Sequence, residues 1–442
     1  MTASIPIARH RTAQRRTELS SPVRHLLDLG FLDGRFSLLD YGCGRGDDLR
    51  LLNEMDIAAS GWDPVFRPDA EVNPADIVNL GFVLNVIEDA EERSATLRKA
   101  FALAQRLLVV SVMLGYAGQR ARFTPHNDGV RTRRDTFQKY FGQEEFRSYV
   151  QRTLDANVVV VGPGICLVFR EAEDEQLFLL ARQRVKREWR MLRRQPVTDA
   201  VAAMLDKHRP QIDAYWRTVL EHGRPVTADE CPEALPLAAL LGSWRRIHDW
   251  VARFFGPDEL EAASIGRQED LLVYFALSHF GRRKLYKELA PGLKRDVQFF
   301  FGNITKAKAA GKRALFAVAD VERVAEAAFF CRDELGIGRL NDEHDLTFHR
   351  SLLGECLPLV RIFVGCALTL FGEVAAVDLV KVHLQSSKVT FLTFDDFENV
   401  DRPELVERVK VDLARLRVDF FEYGGRFERQ GLEGRASDYY QT

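Results

Sequence analysis

The 442-residue chain has no Cys-x-x-Cys pair: its six cysteines, Cys43, Cys166, Cys231, Cys331, Cys356 and Cys366, are scattered. That spacing indicates neither a zinc ribbon nor a disulfide framework. No uninterrupted apolar stretch approaches the roughly 20 residues of a membrane span, and the Arg-rich N-terminus lacks the apolar segment of a secretory leader. A cytoplasmic protein is therefore expected. Charge of one sign is lacking too, since 62 basic and 64 acidic residues leave a formal charge of -2. Any polyanion partner must then be recognised by local clusters. The length exceeds one ordinary core, and two or three domains are expected.

What is present centres on residues 38–46, Leu-Leu-Asp-Tyr-Gly-Cys-Gly-Arg-Gly. Two apolar residues end a short strand, an acid sits at its tip, and Gly42, Gly44 and Gly46 carry the backbone through a tight turn into a helix starting near Asp47. Glycines suit such a turn because a Cβ would block a ligand's approach and some positions need positive φ. The dinucleotide fingerprint G-x-G-x-x-G would need a further glycine where Asp47 stands. Acid-x-Gly-x-Gly-x-Gly instead resembles the first motif of class I S-adenosylmethionine (SAM) methyltransferases.

Along the chain, residues 1–20 carry Arg9, His10, Arg11, Arg15 and Arg16, which suits a mobile arm, a lid over the turn, or a solvated tail. Strands are expected at about 37–40, 57–62, 77–80 and 107–112, with helices at about 47–54 and 91–105 between them. This alternation predicts a parallel, doubly wound α/β sheet. Residues 157–161 and 165–170 read as an antiparallel hairpin finishing it. Asp63 ends the second strand about twenty residues past the turn, where such folds bind a ribose diol; the alternative is a turn-forming Asp-Pro with Pro64. Only about a dozen residues separate Asp63 from the strand at 77, so the usual third strand has no room. Residues 113–135 read as a long polar loop, and 175–205 as a very basic helix that is either solvated or phosphate-facing. Amphipathic helices follow to 335, with Trp244, Ile247, Trp250 and Phe254 at core spacing. A C-terminal α+β region then has a helix at about 353–371 and strands at 377–384, 388–394, 409–413 and 418–421. The expected domains are thus a basic arm (1–20), a nucleotide-type domain (21–180), a helical domain (181–335) and the α+β region (336–442).

Asp40 to Asp48, Gly61-Trp62-Asp63-Pro64, Asn79 to Asp89, Asp128-Gly129-Val130, Thr136 to Phe141, Thr347 to Leu352 and Lys381-x-His383 together resemble the DNA phosphorothioation-associated methyltransferase family, over nearly the whole chain. The resemblance implies a SAM-binding class I methyltransferase domain with a partner region, encoded near systems that place sulfur in the DNA backbone. It supplies no substrate.

On this reading Gly42, Gly44 and Gly46 offer backbone approach, with bared amides, and Asp40 lies near the methionine ammonium. Asp63 takes the ribose, Tyr41 and Trp62 flank these acids, and Asn79, Gly81 and Phe82 line the pocket toward adenine or acceptor. The Asn79-Leu80-Gly81-Phe82 tip keeps an Asn and an aromatic but lacks the prolines that exocyclic-amine DNA methyltransferases place there, and no Pro-Cys nucleophile follows. His126, Asp128 and Lys139 are the candidates for an acid, a base or a phosphate contact, against the ordinary readings of loop His, turn Asp and surface Lys. Residues 342–345 with His349 invite a metal. Read as helix, however, His344 and His349 lie roughly 140° apart, and no metal is expected. Three functions follow: a SAM-dependent methyltransferase acting on nucleic acid, a SAM- or nucleotide-sensing module of a DNA-modification complex, or a methyltransferase of a small thio-metabolite or protein.

Overall fold

The computed structural model describes residues 7–440 except 14, 116–122, 190, 192–206, 253, 256, 282–285, 342–343, 373–376, 401 and 425–429. Among them, β1 (Leu38–Tyr41), β2 (Ala59–Trp62), β3 (Ala75–Gly81), β4 (Ala104–Ser111), β8 (Val159–Gly162) and β9 (Ile165–Phe169) form one sheet in the order β2-β1-β3-β4-β9-β8. The first four strands are parallel; β9 runs antiparallel to β4, and β8 antiparallel to β9. This is the strand order of a class I methyltransferase sheet without its third strand, so the sheet stops at β2.

The strands read as near-continuous apolar runs because both faces are covered. Leu39, Val78, Leu80, Leu108 and Val110 pack against Leu97 and Ala100 of α3 (Ala90–Leu103) and Phe146 and Val150 of α4 (Gln143–Leu154). Leu38, Ile77, Leu107 and Val109 face the other way, onto Val23 and Leu26 of α1 (Ser21–Asp28) and Leu52 of α2 (Asp47–Glu54). β1 has β2 on one side and β3 on the other, so the chain reverses its winding there, and a crevice opens at the carboxyl ends of these strands.

Several elements depart from expectation. The loop at 113–135 carries most of a small antiparallel sheet, β5 (Thr124–His126), β6 (Gly129–Arg131) and β7 (Phe137–Gln138), while 116–122 lie outside the described residues. The basic helix expected at 175–205 is α5 (Ala172–Gln183) and stops there. Beyond it Asp270 accepts from the Val185 amide at 3.2 Å and from Arg187 at 3.0 and 3.2 Å, a tertiary anchor that outcompetes helical continuation. The stretch 192–206 is outside the described residues.

Strands β10 (Arg339–Asn341) and β11 (Asp345–His349) open a second sheet, continued in sequence order and antiparallel by β12 (Leu379–His383), β13 (Lys388–Phe394), β14 (Leu405–Asp412) and β15 (Arg417–Glu422). Asp345 and His349 therefore sit on a strand, not on the helix assumed for them. Among the described residues no group of three His, Cys, Asp or Glu is placed to hold a metal. The expected helix at 353–371 is a 3-10 turn, Arg350–Glu355, followed by an α-helix, Pro358–Phe371, that packs on this sheet through Val360, Phe363, Val364 and Phe371.

Helices between the sheets bury two charged clusters. Asp270 is shared by Arg187 and Arg361 (2.8 Å), and Asp296 by Arg224 (2.7 Å) and Arg267 (2.5 Å). Trp216 and Phe255 stack at 4.9 Å in a core that also packs Trp244, Trp250 and Phe254.

Candidate functional site

Register places the acid at the tip of β1 beside the amide at the tip of β3. Asp40 pairs with Gly61 on one side and Asn79 on the other, so the Asp40 and Asn79 side chains enter the crevice together. Asn79 Nδ2 donates to Asp40 Oδ1 at 2.9 Å, while Asn79 Oδ1 is buried without a partner. Burial, reinforced by Asp48, pushes the Asp40 carboxyl up to about 7. Burial also raises the Cys43 thiol to about 12, leaving it no thiolate nucleophile at neutral pH.

A cavity of about 500 Å³ opens over these groups. Asp40, Tyr41, Gly42, Gly44, Trp62, Asp63, Asn79, Gly81 and Phe82 all line it; Gly46 does not, and lines a separate recess with Arg67. The two carboxylates thus share one hollow. Tyr41 and Trp62 stack at 5.0 Å along its wall, and Lys99 stands over both rings at 5.8 and 5.9 Å.

The glycine turn works differently from expectation. Its amides are spent internally: Gly42 and Cys43 donate to the Trp62 carbonyl, Gly44 to Asp63 Oδ2 at 3.1 Å, and Gly46 to the Cys43 carbonyl. Gly42, Gly44 and Gly46 all have positive φ. A Cβ on Gly42 would lie 2.4 Å from Val83 Cγ2, so the turn needs glycine there to admit its own neighbour. Asp63 lines the cavity, and its Oδ1 accepts from Val65 (2.9 Å) and Phe66 (3.0 Å) as a turn-forming Asp would.

The catalytic candidates are not brought to this cavity. Arg93, itself buried, clamps Asp128 at 2.7 and 2.9 Å and holds its carboxyl down at about 2. Lys139 joins Asp128 (3.2 Å) to Glu145 (3.0 Å), and His126 sits edge-on to Phe137. These contacts tie the β5–β7 sheet to α3 and α4.

Other features of the site were not legible. Phe82 has φ 58°, a left-handed conformation that is strained for an aromatic residue; its amide faces the Ser111 carbonyl (3.0 Å) and Oγ (3.2 Å). The arm also forms a wall, with Arg9, Thr12, Ala13 and Arg16 lining the cavity. Arg9 pairs with Glu88 and Glu92, the Arg16 amide donates to Asp47 (2.8 Å), and Asp48 accepts from the Ser20 amide (2.7 Å) and Arg16 (3.4 Å). The Arg-rich composition of residues 1–20 suits the lid that the sequence allows, and the doubled acid Asp47-Asp48 is the further signal of where it seats.

Strand order and site define a class I methyltransferase-like fold with a nucleoside-sized crevice. No family model and no curated relative matches the chain. Solved structures similar to part of it include an O-methyltransferase family protein from Burkholderia thailandensis, at 16% identity over 33% of this chain and 55% of that one, TM-score 0.25. The chain thus spans about half of that protein. Magnesium protoporphyrin IX methyltransferase from Synechocystis PCC 6803 with bound SAH is 14% identical over 37% of this chain and 93% of that one, TM-score 0.25. A chain of the Pnkp1/Rnl/Hen1 RNA repair complex is 15% identical over 34% and 42%, TM-score 0.23. Likeness at that level carries no argument of its own, and the fold rests on the strand order above.

Proposed function

We propose that the chain is a SAM-dependent methyltransferase, and that its acceptor is nucleic acid in a DNA-modification setting. The observation that carries the cofactor reading is the cavity at the tips of β1, β2 and β3. Its floor joins a carboxyl with a pKa of about 7 to an orphaned amide oxygen, groups that suit the ammonium donor and positive charge of SAM. Asp40 and Asn79 would hold the methionine end and Asp63 the sugar. When bound, SAM supplies the methyl group as an electrophile on sulfur. Transfer is an in-line displacement, so the protein's part is alignment and exclusion of water, tasks that fall to the Phe82 rim and the arm.

The acceptor reading is supported by the family resemblance of the motifs and by an opening beside Phe82 and Val86 into a neighbouring groove. No helix among the described residues is long and apolar enough to cross a membrane.

The test is incubation with methyl-labelled SAM against phosphorothioated DNA, plain DNA, tRNA and cell extract, followed by fractionation. Label in a nucleic-acid fraction is expected. Tight SAM binding with no label transferred to any fraction would leave a sensing module instead.

A further inference from the structure

We propose that the groove beside the cofactor cavity is a track for one single strand of nucleic acid, its phosphates gripped by Arg11, Arg15, Arg133 and Arg134 and one base turned toward Phe82. This deepens the methyltransferase reading and rests on it.

The groove measures about 820 Å³ and runs between the arm and the segment 123–140. Thr12, Arg16, Ser20, Phe82 and Val86 belong to its wall and to the cofactor cavity's, so the two hollows meet at Phe82. Five arginines line it against one acid, Glu18, which is paired with Arg24 at 2.9 Å. In a chain of formal charge -2 this is a local excess, not a reflection of composition. Arg16 is partly neutralised by Asp48. The other four are exposed, and none has a carboxylate partner among the described residues. Arginines close by are spent differently, Arg9 on Glu88 and Glu92 and Arg93 on Asp128. Unpaired guanidinium groups converging on one groove are the footprint of a phosphate backbone.

The strand is single for a geometric reason. The methyl donor would lie past Phe82, at the inner end of a groove walled on both sides, and a base inside a duplex cannot reach there without leaving its stack. An aromatic ring beside cationic groups is the platform on which unpaired bases rest. Phe82 is held at the junction of the two hollows by its left-handed backbone, with Arg16 over its ring at 5.8 Å.

The test is fluorescence anisotropy of the full chain with a labelled short DNA strand, the matching RNA, the corresponding duplex, and polyglutamate as competitor, over a range of salt. Single strands are expected to bind at least tenfold more tightly than duplex. Four phosphate contacts predict a log–log salt slope of about -3. The double substitution Arg133→Glu with Arg134→Glu should cost at least tenfold in strand affinity and roughly halve that slope. These residues lie outside the cofactor cavity, so SAM binding by calorimetry should be unchanged. Equal affinity for duplex, unaltered binding by the double variant, or displacement by polyglutamate as effective as by DNA would each overturn the proposal, the last in favour of an acidic protein partner. Wild-type chain that binds strands as described but takes up no SAM would sink the methyltransferase reading and leave the groove assignment standing.

Discussion

The ionisation of Asp40 should set how tightly SAM is held. In the cofactor-free chain this carboxyl is buried beside Asp48, with Asp63 also near, and only Asn79 and Arg16 favour its charged form, which puts its pKa at about 7. SAM carries a net positive charge, and its demethylated product keeps the ammonium group that Asp40 would face. If SAM binds the ionised form, roughly a tenth of the sites are ready at pH 6 and about nine-tenths at pH 8. Affinity should then rise about tenfold across that window, near 1.4 kcal/mol, with a proton released on binding. Calorimetry in two buffers of different ionisation enthalpy reads both quantities. The product should show a similar slope, and Asp40→Asn should remove the slope for both. A SAM affinity that is flat from pH 6 to 8, or a slope that survives in Asp40→Asn, would refute the reasoning. The same shift has a second consequence in the cofactor-free chain. The folded state keeps this proton up to about pH 7, while the unfolded chain releases it near pH 4. Between those values the folded state binds more protons, so stability falls as pH rises, by on the order of 4 kcal/mol.

Two further outcomes test the surrounding structure. Gly42→Ala places a methyl 2.4 Å from Val83 Cγ2 at φ +94, so it should lower the melting temperature and weaken SAM binding, with Val83→Ala restoring part of both; an unchanged melt would show that the turn tolerates a side chain. Asp296→Ala strands the buried Arg267 and leaves the buried Arg224 with Glu230 alone, and should cost about 3–5 kcal/mol in chemical denaturation; a loss within error would mean Arg267 is not balanced by that carboxylate.

Much of the first sheet was readable because its strands are apolar runs bounded by glycine and acids, and the missing third strand followed from the short span between Asp63 and Ala75. The β5–β7 sheet escaped notice because its strands are two or three residues long and largely polar. β11 was hidden by alternation that buries Asp345, Thr347 and His349, which looked like a polar cluster. The end of α5 could not be read locally, since the group that stops it, Asp270, lies 85 residues away. At the site, Asp40, Asn79 and Asp63 were legible as strand tips. The strained Phe82 backbone and the internal use of the glycine amides were not, because both depend on close approaches by Ser111, Trp62 and Asp63.

The arm's fastenings have a kinetic consequence. Arg9 and its acid partners are each a quarter or more exposed, and pairs of that kind contribute about 1 kcal/mol or less and weaken with salt. The better-shielded Asp48–Ser20 contact stays behind as a pivot. If salt loosens these pairs, ligand exchange should quicken with ionic strength. Because Arg11 and Arg15 ride on the same short segment, an anion bound to them should slow that exchange.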